Sequence, residues 1–209
     1  ECPVIYCKYG DGDVTFDNGA TIPEEDFSPV DESERYLFSE KEVDKIRKVD
    51  LYRYTDEIPE FSEFALFSGD SLCSVCRFPN RFPDGSENLL RCARYNDPDS
   101  LLLTLGLLKR KISEYRAEMI PQMKLYGYIK AGYRKDTYTA SSYDADQGVL
   151  YVAEGNMRPG WAGISGEGID MCVMNVPAEL DAAGEYWVNR ATGTLYVYDP
   201  SGDYRVPGA

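Results

Sequence analysis

Apolar and polar residues alternate with a period of two over long stretches of this chain, the pattern of strands with one buried face. Near the start Val4, Tyr6 and Lys8 alternate with Ile5, Cys7 and Tyr9, and Gly10 to Asp13 then supply a turn. Thr21 to Arg35 is acidic and holds Pro23 and Pro29, which suits a surface connection. Ser39 followed by Glu42 has the form of a capping box. Val43, Ile46 and Val49 come next near helical spacing, which predicts a short helix over 40–48 before a strand-like Leu51 to Tyr54. A hairpin is expected after that: Phe64, Leu66 and Phe67 enter Ser68-Gly69-Asp70-Ser71, and Leu72 to Phe78 leave it. Pro79-Asn80 ends it, and Arg81 to Glu87 reads as loop.

Asp97-Pro98-Asp99 has the chemistry of a helix start, with Asp97 as cap and Pro98 in the first turn. Leu101, Leu105, Leu108, Ile112, Tyr115 and Met119 follow at spacings of four and three, which predicts a helix over 99–118 packing this stripe against a sheet. Strands are expected at 125–131, 136–142 and 149–153, with a turn at Asp144 to Gly148. The chain closes on an aromatic hairpin, Glu185 to Asn189 and Thr194 to Asp199, joined by Arg190-Ala191-Thr192-Gly193. Two helices in an otherwise β chain predict a mainly β fold, a sandwich or barrel-like domain. No internal repeat is present, so these residues do not make a whole solenoid.

Composition narrows the function classes. The chain has 209 residues, 43% of them hydrophobic, enough for a real core. Its formal charge of -14 opposes binding to nucleic acid or anionic membranes. The Leu101 to Leu108 stretch is far too short to span a bilayer. Six cysteines, Cys2, Cys7, Cys73, Cys76, Cys92 and Cys172, form an even set, and the chain has no His to join them in a zinc site. They predict disulfides and an oxidising, extracellular compartment. Cys92 is expected to pair with Cys73 or Cys76, because residues three apart in a strand point to opposite faces and cannot pair with each other. Cys2 with Cys7 is the other expected pair. The chain opens at Glu1 without Met or an apolar signal, which reads as a piece of a longer secreted protein.

Three passages carry a resemblance. Phe64 to Asn80, reading FALFSGDSLCSVCRFPN, resembles the strand, tight turn, strand and R-[YF]-P-N ending of large secreted right-handed parallel β-helix proteins related to polysaccharide lyases and glycosidases. Ala178 to Pro200, reading AELDAAGEYWVNRATGTLYVYDP, is similar to their E-L-D-x-P-G-E-[WY] and D-R-x-T-G-x-L-Y-x-Y-P hairpin, with Ala183 and Asn189 as departures. The opening PVIYCKYGDGDVTFDNG resembles one of their coils. The resemblance implies the end of a β-helix coil at 1–20, an acidic connection and short helix at 21–63, an inserted β-rich domain at 64–200, and a tail at 201–209 leading back to coils not contained here. It also implies that the chemistry of such enzymes lies outside this chain.

The residues themselves offer little for catalysis. Without His, neither a Ser-His-Asp triad nor a Cys-His pair can form. No phosphate-cradling loop is present, and GISGEG at 163–168 lacks the strand-to-helix setting of a dinucleotide turn. Glycosidase chemistry needs only two carboxylates. Glu154, Glu167, Asp170 and Glu185 are the candidates, in Gly-rich or aromatic surroundings, and they are expected to be solvated acids or, for Glu185, a turn residue. Tyr126, Tyr128, Tyr133, Trp161, Tyr186, Trp187 and Tyr196 could offer flat rings to a sugar, in competition with core packing. Asp11, Asp13, Asp144 and Asp146 form D-x-D pairs in turns that could bind Ca²⁺ weakly, without the spacing of an EF-hand.

The function expected is therefore a non-catalytic accessory or scaffolding segment of an extracellular carbohydrate-associated β-helix protein. Its partners would be the remainder of that polypeptide, neighbouring extracellular proteins, or a glycan. The alternatives are a structural module making protein contacts, and a self-contained glycosidase or lyase.

Overall fold

The computed structural model describes residues 19–153 and 168–207. The first part of the chain contributes β1 (Gly19–Ile22), β2 (Ser28–Pro29) and β3 (Ile46–Asp50). Four two-residue steps follow: β4 (Phe67–Ser68), β5 (Ser71–Leu72), β6 (Ser74–Val75) and β7 (Arg77–Phe78). The middle holds β8 (Leu90–Asp97), β9 (Ser100–Leu103), helix α1 (Gly106–Glu114), β10 (Lys124–Ala131), β11 (Arg134–Asp144), β12 (Val149–Val152) and β13 (Ile169–Met174). The end adds β14 (Glu185–Asn189), β15 (Thr194–Tyr198) and β16 (Tyr204–Pro207).

The middle segment is a closed barrel. Its strands run in the order β8, β9, β12, β11, β10, β13, and the ring shuts where β13 pairs with β8, leaving six strands with no free edge between them. β7 is attached outside the ring, on β13. Alternation puts Leu125 and Ile129 of β10, Leu101 and Leu103 of β9, and Met171 and Val173 of β13 inside. α1 packs Leu108 and Ile112 into the same cluster, each buried side chain contributing roughly 2–3 kcal/mol.

The remaining strands form two further sheets. The order β2-β3-β15-β14-β6 makes one, and β1-β16-β4-β5 the other. Between them lies a core containing Ile22, Leu66, Tyr186, Val188, Leu195, Val197 and Val206. The opposite face of the five-stranded sheet is covered as well: Trp187, Tyr196 and Tyr198 pack there against Leu37, Phe38 and Met119. With both faces buried, the β14–β15 hairpin is the centre of this half of the molecule. Lys111 of α1 ties the halves together, since its Nζ donates to both oxygens of the buried Glu179 at 2.8 and 2.6 Å while sitting 4.4 Å from the centre of the Phe78 ring.

Several sequence expectations are corrected. Residues 43–45 form one 3-10 turn, and 46–50 are strand, so there is no helix over 40–48. Ile46 and Val49 are buried but face different cores, one on each side of the sheet, as residues three apart in a strand must. Leu51–Arg53 is a 3-10 turn and not a strand. The helix expected over 99–118 is shortened to 106–114, because Leu101 to Leu103 are strand, paired to β8 and β12. Asp97 spends its capping chemistry on a hairpin turn, with its Oδ1 accepting the Asp99 N–H at 3.3 Å and the Ser100 hydroxyl at 2.7 Å. The stripe is nonetheless buried, except that Leu105 is only partly so.

The hairpin at Phe67 to Leu72, the strands and turn of 124–152 and the last hairpin stand where the pattern placed them. β13 and β16 were not anticipated. β16 pairs antiparallel with β1 and β4, so residues from the first and last parts of the chain share a sheet. Among the described residues the pairings are antiparallel except for β6 with β14, and no parallel β-helix coil is seen in them.

The disulfide between Cys92 and Cys73 or Cys76 is not formed. Cys73, Cys76, Cys92 and Cys172 are buried free thiols. The reason is where each points. Cys92 lies in the barrel core, Cys73 between the two sheets, and Cys76 on the far face of the five-stranded sheet. Cys172 alternates with the inward Met171 and Val173, so it leaves the barrel interior and meets Arg77, whose Nη2 donates to its sulfur at 3.0 Å. Cys2 and Cys7 lie outside the described residues.

Candidate functional site

Strand β10 turns Leu125 and Ile129 into the barrel and therefore Lys124, Tyr126 and Tyr128 outward. Gly127 allows this strand to lie against β13, because a Cβ there would stand 2.2 Å from the Asp170 carbonyl oxygen and 2.6 Å from Met171 Cα. The outward residues border three pockets in turn along β10, the lobes of a trough: the first two share Glu87, and the third has a lining of its own. Tyr128 borders one lobe with Asp170, Lys135 and Arg91. Tyr126 borders the next with Tyr186, Arg77 and Glu87, and Lys124 borders a third with Val188 and Arg190. From Lys124 to Tyr128 the strand rises about 13 Å.

The loop after β7 forms the other wall. Glu87 lines the first two of these lobes, while Phe82 and Arg81 reach into a side groove of about 550 Å³ beneath the Ala182 to Glu185 turn. This loop is held by its own bonds. Phe82 N–H donates to the Ser86 carbonyl at 3.1 Å, Gly85 N–H to the Phe82 carbonyl at 2.8 Å, and Arg81 Nη1 to the Gly85 carbonyl at 3.0 Å. Asn80 Nδ2 fastens it to Asp181 Oδ1 at 2.9 Å. The result is an aromatic ring, Phe82, held half exposed at the trough.

Three acids at the trough and its side groove are engaged. Glu87 stands between Arg77 Nη1 at 2.7 Å and Arg81 Nη2 at 2.8 Å; the first contact is an ion pair without hydrogen-bond alignment. Asp170 receives Arg91 in a bidentate pair, Nε and Nη2 each at 3.0 Å. Glu185 is 4% exposed, and its Oε2 accepts the Asp181 N–H at 3.3 Å, clasping the turn that precedes β14. Burial pushes its pKa up to about 8, so the group is a neutral acid at neutral pH. Lys135 lies 5.7 Å from the Tyr126 ring centre and 5.9 Å from that of Tyr128, within cation–π range of both.

The sugar-facing residues expected from sequence divide. Tyr126 and Tyr128 are in the trough and Tyr186 forms a buried part of its wall. Tyr133 is 80% exposed in the β10–β11 turn. Trp187 and Tyr196 are correctly aromatic but wrongly assigned to a sugar face: they are 1% and 0% exposed in the core, packed on each other with ring centres 5.2 Å apart. Trp161, Glu154 and Glu167 lie outside the described residues, as do Asp11 and Asp13. Asp144 uses one oxygen for the Gln147 N–H at 3.0 Å and the other for Gln147 Nε2 at 2.7 Å, and Asp146 is exposed in the same turn. Among the described residues no group of three or more Cys, Asp or Glu side chains is arranged to hold a metal ion. Sequence reasoning missed Arg77, Arg81, Phe82, Glu87 and Lys135. The one available signal was an aromatic residue, Phe82, inside a Pro- and Gly-containing loop where core packing does not explain it.

No protein-family model and no curated protein matches the sequence. A solved structure titled "Glycoside hydrolase" matches 78% of this chain with a TM-score of 0.54 at 12% identity. The match covers 29% of that protein, so the chain spans less than a third of its length. The likeness is one of fold.

Proposed function

We propose that this chain is a non-catalytic, glycan-contacting segment of a larger carbohydrate-associated β-helix protein, and that it holds sugar in the trough along β10. The observation that carries this reading is the arrangement of Tyr126 and Tyr128 on the floor with Phe82 presented from a self-bonded loop opposite. Flat apolar rings flanked by arginine, asparagine and carboxylate groups suit a pyranose, which has an apolar face and a polar rim. The fold likeness to a glycoside hydrolase supports the same class of partner. In favour of a binding role is the state of Glu87 and Asp170, each held by guanidinium groups, which positions walls and leaves neither free to serve as a base beside Glu185. An extracellular location belongs to this reading through the resemblance to secreted β-helix proteins, not through disulfides.

Titrating the purified chain with neutral and acidic oligosaccharides while following amide NMR shifts tests it. Binding should map to β10 and the 80–87 loop, and Phe82→Ala or Tyr128→Ala should weaken it roughly fivefold to tenfold, the loss of about 1 kcal/mol of ring contact, with folding unchanged. No reducing ends or unsaturated products should appear. Turnover lost in Glu185→Gln would replace this reading with a self-contained glycosidase or lyase.

A structural, protein-contacting module is a second reading, favoured by Leu72, 67% exposed on β5 at the edge of its sheet, beside the partly exposed Phe67. Concentration-dependent self-association abolished by Leu72→Lys would support it.

A further inference from the structure

The third lobe of the trough differs from the others in its charge. Its lining includes Phe61, Lys124, Asn175 and Arg190, and both cations lie over the same ring, Lys124 Nζ 5.3 Å and Arg190 Cζ 5.6 Å from the Phe61 centre. Each makes one neutral hydrogen bond, Lys124 to Thr139 Oγ1 at 2.7 Å and Arg190 Nε to the Pro59 carbonyl at 3.3 Å. Neither forms an ion pair with a carboxylate among the described residues, although the chain carries 36 acids to 22 bases. Glu60 also borders the lobe and acts on Arg190 at a distance, without pairing with it. Burial pulls the Arg190 pKa below the ordinary guanidinium value, the mark of a charge held partly away from water without a matched counter-charge. Asn175 adds a left-handed backbone at φ 63°, a conformation uncommon for a residue with a side chain. Its Nδ2 donates to the Gln122 carbonyl at 2.8 Å, which fixes the amide at the rim.

We propose that Lys124 and Arg190 form an anion subsite at this end of the trough, taking the carboxylate or sulfate group of an acidic sugar, with the Phe61 ring within cation–π range of both. The inference rests on the trough being a glycan site and goes further, because it says which glycans the trough prefers. Two cations lining one lobe offer charge-assisted hydrogen bonds to an anionic sugar and nothing comparable to a neutral one. The discrimination comes from one end of the trough and leaves the aromatic floor common to both ligands.

The experiment compares, by isothermal titration at low salt, a neutral oligosaccharide with uronate-bearing and sulfate-bearing oligosaccharides of the same length. An acidic ligand is expected to bind about tenfold more tightly than the neutral one, with the advantage shrinking as salt is added. The uronate and sulfate arms identify which anion fits. Lys124→Met and Arg190→Met, which keep the stems over Phe61, should each cut the ratio of acidic to neutral affinity to about twofold. Equal binding of acidic and neutral ligands, or an advantage that survives both substitutions, would overturn the subsite while leaving the trough. Glucuronate and inorganic sulfate, each titrated alone against the Arg190 Nε–H resonance, give an independent reading. A saturable Arg190 response with no oligosaccharide binding would overturn the glycan reading and keep the anion site; no response from either anion would overturn the anion site.

Discussion

Arg77, 1% exposed at its side chain, stands 2.7 Å from Glu87 across the strand-to-loop junction that shapes one wall of the trough. The same guanidinium donates to the Pro79 carbonyl at 3.2 Å and the Asn88 carbonyl at 3.4 Å, besides the Cys172 sulfur. A buried arginine of this kind is costly in itself and tolerable only because several acceptors meet it. Arg77→Ala should therefore destabilise the fold by about 3–5 kcal/mol, since it removes one of the two cations beside Glu87, leaves two carbonyls without their donor and empties a buried site. Urea unfolding measures this. Arg77→Met together with Glu87→Gln should cost clearly less than Arg77→Ala alone, and an equal or greater cost would show that packing and not charge pairing dominates.

Glu185 predicts a pH dependence of stability. Its carboxyl loses a proton near 4.5 when exposed, but burial holds the folded-state pKa at about 8. Between these values the folded protein binds more protons than the unfolded chain, so stability is fully present below about pH 4.5 and falls as pH rises toward 8. The whole step is on the order of 5 kcal/mol, from a shift of about 3.5 units. Glu185→Gln should flatten this part of the profile and be more stable than the parent at about pH 8.5. Denaturation curves at mildly acidic and mildly alkaline pH decide it; parallel profiles for the two proteins would refute the assignment.

The cysteines should behave as inert thiols. Burial pushes Cys73 and Cys172 up to about 11 and Cys92 up to about 12, and Cys76 well above the ordinary thiol value, so little thiolate exists at neutral pH. Iodoacetamide should leave these four untouched in the native protein and modify all of them in urea without prior reduction. Peptide mapping that finds any two of them joined would contradict the separation of the cores.

Gly127 should tolerate no side chain. An alanine Cβ would collide with the backbone of Asp170 and Met171 on β13, and backbone cannot give way as a side-chain tip can. Gly127→Ala should cost at least about 1–3 kcal/mol and disturb the β10–β13 pairing that closes the barrel. Gly85→Ala, where open space surrounds the added Cβ and only the backbone conformation at φ 79° resists, should cost less. Thermal melts of the two variants give the comparison.

What the sequence determined by itself was the mainly β class, the hairpins at 67–72 and 185–198, and part of the core. Period-two alternation and turn chemistry are local, and the β14–β15 hairpin with Gly193 at φ 69° stands where they put it. Burial was legible in part: Leu101, Ile112 and Tyr115 are inside as their stripe predicts, whereas Trp187 and Tyr196, read as possible sugar-facing rings, are inside as well. The element type at those places was decided only by tertiary structure. Leu101 to Leu103 could have continued the helical stripe, but strand neighbours on both sides, β8 and β12, satisfy its backbone in a ladder, and the same Asp97 that could cap a helix serves a hairpin turn equally well. The trough was beyond reach for the same reason. Lys124, Tyr126 and Tyr128 announce an outward face, yet Phe61, Arg77, Glu87 and Arg190 join them only because barrel closure and the Lys111–Glu179 tie bring distant segments together. A side chain's neighbours in sequence fix its direction along a strand, whereas what stands opposite it depends on how the sheets pack.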